Sequence, residues 1–301
     1  MSRSVQAKAL VETLLTIPTV RIQNVPRTTE KLQKVIQDGK HNLHFISDFD
    51  MTMTRHWIRN RITDALERNS SSHGIPARSS IMTQEYKDET HRIYNKYYPI
   101  EIDQTMTFEE KVPYMMTWWK EAHASIVQQK LKKQDLQEMV KQVSMELRSG
   151  LDRVLAHCRH HSVPFLVFSA GIGDLIEEIL RQADLYYENM HVVSNMMVFD
   201  KDNVCIDFKE PLIHVFNKSE FQLETSPYHR LIEERRNVIL MGDSLGDLQM
   251  SQGLKHDLCL NIGFLNHDIK SLEPAYMAAF DIVIEGDANM NPVMEILEQI
   301  Q

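Results

Sequence analysis

Two short apolar runs in this chain end in acid. Leu43-His44-Phe45-Ile46 runs into Ser47-Asp48-Phe49-Asp50, and Asn237-Val238-Ile239-Leu240-Met241 runs into Gly242-Asp243-Ser244-Leu245-Gly246-Asp247. Runs of this length bounded by turn formers predict buried strands. Pro164-Phe165-Leu166-Val167-Phe168-Ser169 predicts another, and further strands are expected at 257–262 and 280–284. Residues 190–199 and 203–208 suit a hairpin around Asp200-Lys201-Asp202-Asn203. Helical spacing covers 5–16, 28–38 (with Thr28 or Thr29 as N-cap), 150–161, about 173–183, a stretch from 245, and 269–279. Between 57 and 148 the pattern changes: no strand is evident, and helices are expected at 83–97, 107–131 and 134–147 after a turn-rich loop at 69–80. Alternating strands and helices imply an α/β fold with a mostly parallel sheet covered on both faces. The helical stretch is an insertion, giving a core of 1–56 and 149–301 and an inserted unit of 57–148.

Ligands of open α/β sheets bind beyond the carboxyl ends of the strands. Tips carrying Asp48, Asp50, Asp243 and Asp247 would gather four carboxylates there, and these repel one another unless a cation neutralises them. An oxygen-only ligand set suits Mg²⁺. A calcium loop starting at Asp48 fails, because its sixth position is Met53 and its twelfth Arg59. Residues two apart on an extended chain point the same way. Asp48 and Asp50 can therefore face one phosphate, one carboxylate attacking phosphorus and the other moving the proton. Asp243 suits a metal ligand, and Asp247 a direct or indirect one, although an acid in such a turn is often a simple helix cap. Ser169 offers a hydroxyl at a helix N-terminus, which suits a phosphate oxygen as well as it suits capping. Lys218, ordinarily read as a surface charge, gains interest because an aspartate nucleophile and a phosphate need an opposing cation.

A net charge of −9 argues against a nucleic-acid polymer as partner. The cysteines Cys158, Cys205 and Cys259 are too widely spaced to suggest a disulfide framework or a zinc site. No signal peptide is expected, and no apolar run approaches the roughly 20 residues of a membrane span. A cytoplasmic monomer is the expectation. His157 and His161, four apart beside His160, lack a third ligand and read as a solvated helix face.

The order Asp-x-Asp-x-Thr, Ser, Lys, Gly-Asp-Ser-x-x-Asp resembles the haloacid dehalogenase superfamily of aspartate-nucleophile phosphatases. It is closer still to the cytosolic type III 5′-nucleotidases. Asp48 to Thr52, Phe168 to Asp174, His214 to Lys218 and Gly242 to Asp247 look like that family, as do Tyr97 to Glu101 and Glu109 to Met115 in the insertion. The resemblance implies a haloacid-dehalogenase-type Rossmann-like parallel sheet with a helical cap inserted after the first catalytic strand. It implies Asp48 as nucleophile and Asp50 as acid/base. Mg²⁺ would sit on Asp48, the Asp50 carbonyl and Asp243, supported by Asp247. Thr52, Ser169, Ala170 and Lys218 would bind phosphate, and Glu101 the base. Trp119 and Ala122 resemble the branch that acts on 7-methylguanosine monophosphate. A methylated, cationic guanine gains energy on an indole face, and its two donors suit one carboxylate. Of Trp118 and Trp119, adjacent on a helix about 100° apart, at most one is expected to face the cleft. Residues 55–80 depart from the family pattern, although Ser72-His73-Gly74 resembles part of its usual loop, and Thr54 stands where Ser is usual.

The expected function is Mg²⁺-dependent hydrolysis of small nucleoside 5′-monophosphates, 7-methylguanosine monophosphate first and CMP or other pyrimidine monophosphates also. The alternatives are phosphate transfer to a nucleoside through the same aspartyl-phosphate, and a catalytically silent nucleotide-binding scaffold. The complete set of acids with Ser169 and Lys218 argues against the scaffold.

Overall fold

The computed structural model describes residues 2–60, 62–103, 105–218, 227–252 and 255–301. The chain opens with α1 (Arg3–Thr16), β1 (Val20–Arg21), α2 (Val25–Asp38) and β2 (Leu43–Ser47). A hairpin follows, β3 (Trp57–Arg59) and β4 (Leu66–Arg68), then α3 (Ile75–Arg78), α4 (Gln84–Glu101), α5 (Phe108–Gln128) and α6 (Lys133–Gln142). After these come α7 (Leu151–His160), β5 (Phe165–Ile172), α8 (Gly173–Gln182), β6 (Met190–Asn195), β7 (Met197–Phe199) and β8 (Cys205–Phe208). The chain continues with α9 (Pro227–Ile232), β9 (Asn237–Gly242), β10 (Leu258–Leu265), α10 (Ile269–Ala279), β11 (Ile282–Glu285) and α11 (Asn291–Leu297).

Seven strands form one sheet in the order β1-β11-β10-β9-β2-β5-β6, parallel except for the edge pair β1–β11. Every residue of β2, β5 and β9 is buried. Both faces of the sheet centre are therefore covered, which is why these strands read as unbroken apolar runs. β2 sits between β9 and β5, with Ser47 opposite Met241 on one side and Val167 on the other. That register brings the tips after residues 47, 167 and 241 side by side.

Several expectations are corrected. The region 57–148 does contain strands, the β3–β4 hairpin, whose three-residue arms carry too much charge to show in the pattern. α2 begins at Val25 because Asn24, not Thr28 or Thr29, accepts the capping bond from the Arg27 N–H at 3.1 Å. α6 stops at Gln142 rather than 147. Beyond it the chain is extended, so that Leu147 pairs antiparallel with Thr54 and the Arg55 N–H reaches the Glu146 carbonyl at 3.0 Å. The segment after Ser244 is a 3₁₀ turn, Leu245–Ser251. Only β7 and β8 form the expected hairpin, while β6 joins the main sheet.

The side chain of Arg148 anchors the root of this returning segment. It is 2% exposed. Its guanidinium donates to the carbonyls of Met51 (2.5 Å), Thr52 (2.7 Å), Thr54 (3.2 Å) and Ala288 (2.7 Å) and to Asn266 Oδ1 (3.0 Å). Asp287 Oδ1 lies 3.3 Å from it. A buried cation is tolerated because every N–H faces an acceptor.

Candidate active site

The strand tips open into a cavity of about 500 Å³. Asp48, Asp50, Ser169, Ala170, Lys218, Asp243 and Asp247 line it together with Glu101, Trp119 and Ala122 from the inserted helices. Of the expected site residues Thr52 alone lies outside this lining. It is fully buried beneath the tip, and its carbonyl is taken by Arg148.

Lys218 Nζ donates to Asp48 Oδ1 at 2.5 Å and to Asp247 Oδ1 at 2.9 Å. Burial pushes the Asp48 carboxyl up to about 7, while the ammonium of Lys218 pulls it down. Burial also pushes Asp243 well above the usual carboxylate range, with Asp48 and Asp247 adding repulsion. This is the electrostatic signature of three acids sharing one lysine. Asp247 Oδ2 accepts from the N–H groups of Asp243 and Ser244 and from Ser244 Oγ. Both its oxygens are thus engaged, so it braces the tip. The Tyr276 hydroxyl donates to the Asp243 carbonyl. Gly242 is required here, since a Cβ would strike the Asp247 carboxylate.

Carboxylate oxygens of Asp48, Asp243 and Asp247 lie within 4.8 Å of one another, the one such acid, His or Cys cluster among the described residues. Hard oxygens held at this spacing with a net negative charge fit a divalent cation. The His157 and His161 rings are 4.4 Å apart, and Lys40 Nζ lies 3.3 Å from His161 Nδ1, a cation where a metal would have to compete.

Ser169 Oγ accepts the Gly171 N–H at 3.0 Å. The Ala170 carbonyl accepts the Trp119 indole N–H at 3.0 Å and the Asn195 amide at 2.9 Å. Asn195, buried, also holds the Gly171 and Ile213 carbonyls, and so ties the β5 tip to the segment that leads to Lys218.

At the far end, Glu101 closes α4. Burial pushes its carboxyl up to about 7, against the pull of Arg68 and Lys111. Lys111 Nζ holds the Glu101 carbonyl at 2.8 Å. Trp118 and Trp119 both line the cavity, contrary to the expectation that at most one would. Their rings meet edge-on at 5.2 Å, and Trp118 stacks on Tyr97 at 5.9 Å. The cavity spans α4 as well as α5, so a 100° difference in direction does not take either ring out of it. Tyr94, Tyr98 and His73 complete this aromatic end, with the His73 ring 5.9 Å from that of Trp119.

The pattern of residues did not reveal Arg68, which lines the cavity from the hairpin, or Ser72, which is fully buried in the loop after it and meets Asp50 there. Ser72 donates to Asp50 twice, from its N–H to Oδ1 and from Oγ to Oδ2, each at 2.7 Å. The available signal was the run Ser70-Ser71-Ser72 before Gly74-Ile75-Pro76, a capping sequence, with nothing to say what it would cap.

A model of the pyrimidine 5′-nucleotidase (UMPH-1) family matches residues 51–301. The 7-methylguanosine phosphate-specific 5′-nucleotidase of Gallus gallus is 40% identical over 94% of this chain and 96% of its own length. The human protein of that name is 38% identical over 94% and 92%. The chain belongs to the pyrimidine 5′-nucleotidase family. The crystal structure of cytosolic 5′-nucleotidase IIIB bound to cytidine superimposes with a TM-score of 0.86 at 32% identity, covering 96% of this chain and 97% of that one. A probable phosphoserine phosphatase of Vibrio cholerae, at 14% identity and a TM-score of 0.51, shares the fold alone. A haloacid-dehalogenase-family hydrolase from Salmonella enterica does likewise. The fold is thus of the haloacid dehalogenase type, and this nucleotidase is a phosphoric monoester hydrolase. Among its described residues no helix is long and apolar enough to cross a membrane.

Proposed function

We propose that the protein hydrolyses nucleoside 5′-monophosphates with Mg²⁺, preferring 7-methylguanosine monophosphate and accepting CMP and other pyrimidine monophosphates. The observation that carries this reading is the joining, in one cavity, of an acid cluster bridged by Lys218 with an aromatic end that presents Glu101. The relatives named for 7-methylguanosine phosphate support the preference, and the cytidine-bound neighbour supports the wider range.

In this reading Asp48 attacks phosphorus with Oδ2, its Oδ1 being held by Lys218. The bond from phosphorus to O5′ breaks as the aspartyl-phosphate forms, and Asp50 gives its proton to the departing oxygen. Water then attacks the same phosphorus, its proton passes to Asp50, and phosphate leaves Asp48 free. Lys218, Ser169 and the Ala170 backbone hold the phosphoryl oxygens. Asp48, Asp243 and the Asp50 carbonyl would hold Mg²⁺, with Asp247 fixing Lys218 and the 243–244 turn. The bound ion supplies charge neutralisation at the phosphoryl group. Residues 57–148 act as a cap on the core of 1–56 and 149–301, excluding water from the first step. Glu101 accepts the guanine N1–H and N2–H, and an indole face stacks on the cationic ring.

A monomer suffices, because one chain supplies both ends of the cavity. A cytoplasmic location is in keeping with the "cytosolic" names of relatives.

The test is inorganic phosphate release from 7-methylguanosine, cytidine, uridine, adenosine and guanosine 5′-monophosphates, with and without Mg²⁺. The expected order places 7-methylguanosine first and the purines without the methyl group last. Equal turnover of guanosine and 7-methylguanosine monophosphates would overturn the preference, and no Mg²⁺-dependent release from any of them would overturn the whole reading.

A further inference from the structure

Asp50 is gripped from one side by a single residue. Ser72 lies 22 positions further along the chain, at the start of the turn Ser72–Gly74 that leads into α3. Its backbone N–H takes Asp50 Oδ1 and its hydroxyl takes Oδ2, both at 2.7 Å. Two donors on the two oxygens of one carboxyl fix its rotation as well as its position, much as a fork of donors does.

The surroundings are shaped for this grip. Ser72 is 0% exposed. Ser71 Oγ accepts the Gly74 N–H at 3.1 Å and so forms the turn that aims the Ser72 N–H. Gly171 lies directly against the contact: a Cβ there would overlap Ser72 Oγ and come within 3.1 Å of Asp50 Oδ2. Three segments distant in sequence therefore converge on one carboxyl, and Ser72 belongs to the inserted stretch rather than to the sheet.

We infer that Ser72 is a positioning residue for proton transfer: it orients the Asp50 carboxyl toward the leaving oxygen when the nucleotide is bound. This rests on the reading of Asp50 as the acid. It also gives the inserted segment a part in the chemical step distinct from its part in reading the base. A merely structural role, in which Asp50 caps the 72–74 turn, has a different signature. Loss of a cap lowers stability and affects all substrates alike.

The discriminating substrate is a nucleoside 5′-S-phosphorothiolate, in which sulfur replaces the bridging O5′. A thiol ionises near 8.5, so the thiolate departs without a donated proton, while an alkoxide cannot. Base, sugar and the three terminal oxygens are unchanged. The experiment measures kcat/KM, which covers steps through departure of the leaving group, for the oxygen and sulfur substrates with wild type, Ser72→Ala and Asp50→Asn. For Ser72→Ala the expected loss is about tenfold on the oxygen substrate, a part of the 10²–10⁴ that general acid–base catalysis supplies, because the backbone N–H bond remains. The loss on the sulfur substrate should be less than about twofold. Asp50→Asn should show the same selectivity, more strongly. If Asp50→Asn is selective and Ser72→Ala costs both substrates equally, or neither, the inference fails and the assignment of Asp50 stands. If Asp50→Asn is itself unselective, Asp50 is not the acid and both fall.

Discussion

Trp119 donates its indole N–H to the Ala170 carbonyl across 3.0 Å, joining α5 of the inserted region to the tip of β5. The Trp119 ring is thus hydrogen-bonded to the peptide next to the expected phosphate contact at Ser169. Trp118 has no such tie and rests on Tyr97. The two tryptophans should therefore fail differently. Trp118→Ala should raise KM, and more for 7-methylguanosine than for guanosine monophosphate, by on the order of 1–2 kcal/mol of cation–π energy. Trp119→Phe keeps a ring but loses the bond to Ala170, so kcat should fall for every nucleotide. Steady-state kinetics on both substrates checks this. A methyl-selective loss in Trp119→Phe with none in Trp118→Ala would reverse the assignment.

Glu101 gives a pH dependence. Its folded value is raised to about 7, chiefly by burial, so the carboxylate predominates above that pH and the acid below it. A protonated oxygen meets the donors of guanine as a donor and loses the paired contact. With a guanine nucleotide, KM should rise as pH falls from 8 to 6. Glu101→Gln should be high and follow only the ionisation of the substrate. Taking the ratio of the two cancels the substrate's own phosphate ionisation near 6. A constant ratio would remove Glu101 from base recognition.

Asp48 and Asp243 should separate nucleophile from ligand. Asp48→Asn is nearly isosteric and supplies no anionic nucleophile, so turnover should vanish at any Mg²⁺ concentration. Asp243→Ala removes one charged ligand and should shift the Mg²⁺ titration upward, with activity partly regained at high metal. An unchanged midpoint in Asp243→Ala would show that it does not touch the ion.

Arg148→Met should destabilise the fold by about 3–5 kcal/mol, because it strips a buried cation from the carbonyls of Thr52, Thr54 and Ala288 and leaves Asp287 partly unpaired. For a chain of this size that is a fall of roughly 5–8 °C in Tm. Asn266→Ala, which removes one bond to Arg148 and one to the Met51 carbonyl, should cost about 1–3 kcal/mol. Thermal denaturation at fixed pH measures both. A change below 1 kcal/mol in Arg148→Met would mean that water replaces the guanidinium.

The parallel sheet and its acidic tips were legible because a strand buried on both faces must be apolar throughout, and Asp48 and Asp243 follow such runs directly. What could not be read depends on contacts between distant segments. Three-residue strands containing Arg59, Glu67 and Arg68 carry no periodicity. α6 stops short because Leu147 pairs with Thr54, a relation invisible in the helical spacing of 134–147. Thr52 shares a motif with Asp48 and Asp50 yet lies below the cavity, since Met51 adopts a positive φ of 63° and turns the chain away. Ser72 looked like one serine in a polar loop, and only the folded chain shows it meeting Asp50.

The pairing of Thr54 with Leu147, flanked by Arg148 N–H on the Met53 carbonyl at 2.8 Å, puts the two ends of a long excursion beside each other. A chain that leaves and re-enters a sheet at one point can carry an excursion of almost any length, since closure entropy grows only slowly with the number of residues. The site is thereby a socket: the parts proposed to read the base can be exchanged as a single cassette between positions 54 and 147, while the strand tips stay as they are. Transplanting the same stretch from a relative with another base preference would move the preference with it, except where Ser72 and its partner Asp50 must be matched across the seam.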